Sequence, residues 1–275
     1  PYILGQVTAC HALSDIYAMG AVAQTALALA TVPLAAVHLM QEELTQMMTG
    51  ALSVLTKDGV TLVGGHSSEG PEASLGFAIN GYCDKEKIIR KQGAKESDVL
   101  ILSKPIGTGV MLAAQMQGKA RSDFLHTTLN IMVQSNQQAS EIFLRNDVNA
   151  MTDVTGFGIA GHLLEMIEKS SLQATLRSKQ IPILPGAKHL FEQGLSSSLQ
   201  SDNFLATEKI FTRDRSHKSI QLNLLVDPQT SGGLLAAVPS NKAEQCLNDL
   251  LKSGYTASMI GEFSVCTGSF PIILD

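Results

Sequence analysis

Short aliphatic runs that end in glycine-containing polar segments constrain this chain more than any other feature. Residues 60–63 lead into Gly64-Gly65-His66-Ser67. Residues 150–152 lead into Asp153-Val154-Thr155-Gly156-Phe157-Gly158 and then a helical pattern over 159–168. Residues 222–226 read as a strand, followed by the loop Asp227-Pro228-Gln229-Thr230-Ser231-Gly232-Gly233 and a further strand over 234–238. Strands that hand over to helices through glycine turns belong to α/β or α+β architectures. The remaining pattern agrees. Helices are predicted over 6–19, around Leu44, Met47, Met48, Ala51 and Leu55 with a stop at Lys57-Asp58-Gly59, from Gly107 to 116, as one long element over 124–144, and over 242–252. Strands are predicted over 22–30, 74–82, 99–103, 257–260 and 270–274. The polar link 92–98 separates two differently patterned regions. It sets a domain boundary near residue 92, giving 1–92 and 93–275.

Hydrophobic residues make up 44% and charged residues 16% of the 275, with no Trp, so the core must be aliphatic. The net charge of -5 and the lack of a basic stripe argue against nucleic-acid binding. The apolar stretch 21–40 contains Gln24, Pro33 and His38, and reads as a buried strand and turn rather than a membrane span. Cys10, Cys83, Cys246 and Cys266 form no CxxC pair and no zinc pattern, as expected of reduced thiols in a cytoplasmic protein. Pro1-Tyr2-Ile3-Leu4-Gly5 runs into a helical pattern with no initiator Met and no secretory signal, so further residues are expected upstream.

Asp15 lies within a run of Ala, Leu, Ile and Met, where a carboxylate is costly to bury unless it is paired or binds a metal; a helix cap or a partner for Lys or Arg is the alternative. Asp153 ends an apolar strand before a glycine turn into a helix. There it can hold a magnesium ion beside N–H groups that take phosphate oxygens, or simply cap the helix. Gly64-Gly65 suits close backbone approach to a ligand or a turn, and His66 is equally a structural donor. Gly107-Thr108-Gly109 is not a Walker A loop, and neither GxGxxG nor GxSxG is present. By composition, 227–233 is a tight loop between strands.

Taken in order, HALSDIYAMG, LVGGHS, ILSKPIGTGV, AMTDVTGFGIAGHLLEM and LLVDPQTSGGLL resemble the selenophosphate synthetase (selenide, water dikinase) family, of the aminoimidazole ribonucleotide synthetase-like superfamily. The resemblance runs from about residue 6 to the end and implies a two-domain α/β fold, here with a truncated amino-terminal domain that binds ATP and dimerises. It implies ATP as substrate, Mg2+ as cofactor, selenide as the second substrate, a homodimer, and release of selenophosphate, phosphate and AMP. By the same resemblance Asp15 contacts ATP and metal, Asp153 is a metal ligand, and Gly65, His66 and Ser67 reach ATP across the dimer interface. The family's upstream segment with a Cys or selenocysteine and a Lys is not in these residues, so no catalytic residue is assigned and the chain alone is expected to be inactive. His11 stands where many members have Asn, and Ala21 where many have Gly. Some members carry a fused upstream oxidoreductase domain. A non-catalytic ATP-binding and dimerisation module, or a superfamily relative acting in purine synthesis or as a small-molecule kinase, are the alternatives.

Overall fold

The computed structural model of the protein describes residues 1–213 and 218–275. Its amino-terminal unit comprises α1 (Tyr2–Ala18), β1 (Val22–Pro33), α2 (Val37–Lys57), β2 (Thr61–Gly70) and β3 (Ser74–Tyr82). β1 is central, parallel to β2 and antiparallel to β3. Strand side chains alternate between faces. In β1 this turns Ala23, Ala26, Ala28, Ala30 and Val32 inward and leaves Leu27 and Leu29 exposed. The stretch predicted as a buried strand therefore has one open face. Of the inner residues, Ala23 and Ala26 lie under α1 and α2, sharing a core with Leu13, Tyr17, Val54 and Leu55. The two helices touch backbone to backbone. A Cβ on Gly5 would stand 1.9 Å from the Met47 carbonyl oxygen, and one on Gly50 1.9 Å from that of Tyr2.

The second unit runs β4 (Val99–Leu102), α3 (Thr108–Met116), α4 (Ser122–Met132), α5 (Gln137–Arg145), β5 (Ala150–Asp153), α6 (Gly158–Ile167), β6 (Leu172–Leu176), α7 (Ala187–Glu192), α8 (Gln200–Asn203), β7 (Ile210–Thr212), α9 (Lys218–Val226), β8 (Leu234–Val238), α10 (Ser240–Lys252), β9 (Ser258–Val265) and β10 (Ile272–Leu274). Its sheet has the order β5-β8-β4-β9-β6-β10-β7 and is mostly antiparallel, with β10 parallel to both β6 and β7. Both faces are covered. Leu235 and Ala237 of β8 pack toward α3, α6 and α9. Leu234, Ala236 and Val238 of the same strand pack toward α5 and α10. Such two-sided burial produces a continuous apolar strand rather than an alternating one.

Three sequence expectations change. Residues 222–226 end helix α9 and form no strand; a short apolar run has no periodicity that separates the two. The predicted long helix over 124–144 is two helices, α4 and α5, interrupted at 133–136. Gly64-Gly65-His66-Ser67 is not a turn: it lies inside β2, paired with Leu27-Ala28-Leu29-Ala30 of β1. Among the described residues, no helix is long and apolar enough to cross a membrane.

Candidate functional site

α1 ends at Ala18, one turn beyond Asp15, beside the carboxyl end of β5. Ser14 points inward and accepts a hydrogen bond from Asn136 Nδ2 at 2.9 Å. Asp15, the next residue, turns to solvent instead, so the cost of burying a carboxylate among its apolar neighbours is avoided. Asp153 closes β5 and is buried. Asp15 and Asp153 line one cleft of about 440 Å³, together with Arg90, Lys91, Thr155 and His162. The cleft walls partly desolvate the Asp15 carboxylate and raise its pKa; the negative charge of Asp153 raises it further, against the opposing fields of His11 and His162. Two carboxylates facing a shared hollow without a cation are mutually unfavourable, and a divalent ion relieves that repulsion. Among the described residues no cluster of three or more His, Cys, Asp or Glu side chains forms a complete metal cage. The donor set thus fits a hard cation with one or two protein carboxylates, its other positions left to water or phosphate.

After Asp153 the chain turns through Gly158, in the left-handed region at φ 66°, into α6. His162 of that helix stabilises the turn: the Thr155 N–H donates to His162 Nε2 at 3.1 Å. Nε2 must then be unprotonated, which leaves the ring proton on Nδ1, 3.3 Å from Glu165. Burial lowers the His162 pKa, with Glu165 acting against it. Glu165 in turn pairs with Lys91 at 3.1 Å on the cleft rim.

Gly65, His66 and Ser67 lie elsewhere, at a separate hollow of about 440 Å³ formed with Leu44 and Met48 of α2. Gly65 approaches β1 so closely that a Cβ would sit 2.1 Å from the Ala28 carbonyl oxygen. Within one chain the structure brings Asp15 and Asp153 together and holds Gly65, His66 and Ser67 apart from them.

The 227–233 loop is more than the tight connection its composition suggests. Gln229 Oε1 accepts from the N–H groups of Gly107 and Thr108 and from Thr108 Oγ, and Asp227 Oδ2 accepts from the Gly109 N–H. The amides opening α3 are therefore occupied by buried side chains and form no phosphate cradle. Burial pushes the Asp227 carboxyl up to about 7, with the Gln229 amide and the Gly109 and Val110 N–H groups opposing. Lys104, within the ILSKPIGTGV segment, has no role that its sequence alone assigns. It is 1% exposed, donates through Nζ to the Gln134 and Ser231 carbonyl oxygens, and is lowered to about 8 by burial. A lysine at the end of the apolar strand 99–103 was the available signal; Asp227 and Gln229 carried none beyond turn composition.

The family model for the AIR synthase related protein, N-terminal domain, matches residues 1–83, and that for the C-terminal domain matches residues 95–270. Both domains of that fold are therefore represented, and the first match lends no support to the expected truncation. Among curated proteins, the chain is 36% identical to a selenide, water dikinase of Myxococcus xanthus over 95% of its own length and 74% of that protein's. It is 37% identical to one of Shewanella baltica, over 100% of this chain and 76% of that protein. Among solved structures, it superposes on a thiamine-monophosphate kinase from Stenotrophomonas maltophilia with a TM-score of 0.73 at 16% identity, covering 100% of this chain and 78% of that one. The hydrogenase maturation protein HypE in complex with ATP gives a TM-score of 0.73 at 16% identity, covering 98% and 75%. At those identities the structural likeness establishes the fold alone. With more than a third of its residues shared with such relatives over nearly its whole length, the chain belongs to the selenide, water dikinase family.

Proposed function

We propose that the protein catalyses the ATP- and magnesium-dependent conversion of selenide and water to selenophosphate, phosphate and AMP. The carrying observation is that Asp15 and Asp153, from segments far apart in sequence, line one cleft, where the charge of Asp153 helps to raise the Asp15 pKa. Phosphoryl transfer asks a protein chiefly for positioning and for cations against a polyanion. In this reading Asp15 and Asp153 hold magnesium, which supplies positive charge against the phosphates when bound. Arg90 and Lys91 add positive charge at the rim. His162 keeps the Asp153-Val154-Thr155 turn in shape.

The division near residue 92 belongs to the same proposal: an amino-terminal part for nucleotide and dimer contacts, and a carboxy-terminal α/β domain behind it. The outer face of the first sheet exposes Val22, Leu27, Leu29, Val63 and Tyr82. An apolar strand face of this kind suits a second copy of the chain. Such a homodimer would carry Gly65, His66 and Ser67 toward the partner's ATP. In this reading the chain binds nucleotide in the cytoplasm, and the family resemblance implies a Cys or selenocysteine and a Lys for turnover.

The test supplies ATP and Mg2+ with and without selenide and follows nucleotides and phosphorus species by 31P NMR. AMP that appears only with selenide, alongside selenophosphate, supports the proposal. ADP released without selenide overturns it in favour of a kinase-like or purine-synthesis relative. Selenophosphate formation by the 275-residue chain alone would end the idea that it is an inert binding module.

A further inference from the structure

Ser231 is held in an unusual way. Its backbone is left-handed, with φ at 53°, although it is not glycine. Such strain persists only where the surroundings over-determine the residue. All of its polar groups are engaged, each by a different element. Its N–H donates to His11 Nδ1 of α1 at 3.0 Å, its carbonyl accepts from Lys104 Nζ at 3.2 Å, and its Oγ donates to the Met132 carbonyl at 2.6 Å. The loop that contains it also grips the turn after β5. The Val154 N–H donates to the Gly233 carbonyl and the Gln229 N–H to the Thr155 carbonyl, both at 2.9 Å. Gly232 lies so close that a Cβ there would be 2.1 Å from the Val154 carbonyl oxygen.

One loop thus touches both carboxylate-bearing segments. On one side it binds His11, four residues before Asp15 and on the same helical face. On the other it binds the residues directly after Asp153. We propose that the 227–233 loop, anchored by His11 through Ser231, is the positioning element that sets the spacing of Asp15 and Asp153 across the junction of the two units. The inference rests on the two-carboxylate metal reading and adds His11 to it as a positioning residue. His11 acts through its acceptor atom. Without that acceptor the Ser231 N–H, in a residue 2% exposed, loses its partner, and the strained conformation loses one of its three restraints. Asn places a carbonyl oxygen close to where Nδ1 stood, so His11→Asn keeps the bond and His11→Leu removes it.

The experiment measures Mn2+ binding in the presence of ADP by electron paramagnetic resonance, with circular dichroism as the check on folding. His11→Leu should weaken Mn2+ binding about tenfold, the loss typical when a support behind a metal ligand is removed, while His11→Asn stays close to the parent. Parent-like affinity in His11→Leu, or an equal loss in His11→Asn, overturns the inference. His11→Ala removes the same acceptor with a smaller side chain and serves if His11→Leu does not fold: weakened Mn2+ binding supports the inference and parent-like binding overturns it. Asp153→Asn separates the two levels. If it leaves Mn2+ affinity unchanged, the metal reading itself falls; if it abolishes binding while His11→Leu has no effect, only the role of His11 falls.

Discussion

The two sheets of this protein use apolar residues in opposite ways. In β1 the inner face is alanine and valine, and the leucines look outward. In β8 every residue is buried, and both faces carry large and small aliphatic side chains into separate cores. The difference follows from what covers each sheet. α1 and α2 pack closely on one face of the first, helped by Gly5 and Gly50, and leave the other open. The second has helices on both faces and stands as a complete domain core. The first sheet therefore keeps an apolar face exposed, while the second buries both of its faces.

The sharpest way to break this comparison is at the α1–α2 crossing. Gly50→Val drives a side chain into the Tyr2 carbonyl and should destabilise the amino-terminal unit by more than about 4 kcal/mol, read as loss of its cooperative unfolding transition. A parent-like melt would mean the helices are free to separate. Next come paired substitutions in the two sheets. Leu235→Ala, in a fully buried position, should cost about 3 kcal/mol in denaturant unfolding. Leu29→Lys, at a residue 61% exposed, should change monomer stability by no more than about 0.5 kcal/mol. Its effect should instead be a shift toward monomer in sedimentation velocity; an unchanged assembly state would mean the open face is not an interface.

A pH-dependent effect concerns Asp227, in the second unit. Its folded pKa of about 7 lies above the ordinary value of 3.8. Its contribution to stability is therefore full below the unfolded pKa and is lost as pH rises through about 7. Asp227→Asn keeps an acceptor for the Gly109 N–H and removes the buried charge. It should stabilise the protein by roughly 1–2 kcal/mol at pH 8, a gain that fades toward pH 4. Thermal melts across that range check the sign; a gain that grows on acidification would show that Asp227 is ionised and favourably held.

Legibility differed between the units in the same physical terms. Helix α2 was readable because Leu44, Met47, Met48, Ala51 and Leu55 repeat at helical spacing and Gly59 ends it. Strand β8 was readable from its apolar run between turn residues. Residues 222–226 were not, since a short apolar segment suits a buried strand and the end of a helix equally. The open face of β1 was also hidden, because its alternation is between small and large apolar residues rather than between apolar and polar ones.

At the site, Asp15 and Asp153 stood out from sequence because each is a carboxylate set among apolar neighbours, one in a helix and one at a strand end before a glycine turn. The roles of His162, Asn136, Asp227 and Gln229 are not legible there, although three of them lie in segments quoted for the resemblance. Their roles are hydrogen bonds to main-chain atoms or side chains that only folding brings near: Asn136 to Ser14 and Gly232, Gln229 to Gly107 and Thr108. The order and chemistry of local segments follow from side-chain periodicity and backbone restriction, which act within a few residues of the chain. That Asp15 and Asp153 share a cleft, and that Gly65, His66 and Ser67 do not join them within one chain, was decided by tertiary packing, because distances between remote segments depend on how helices and sheets dock.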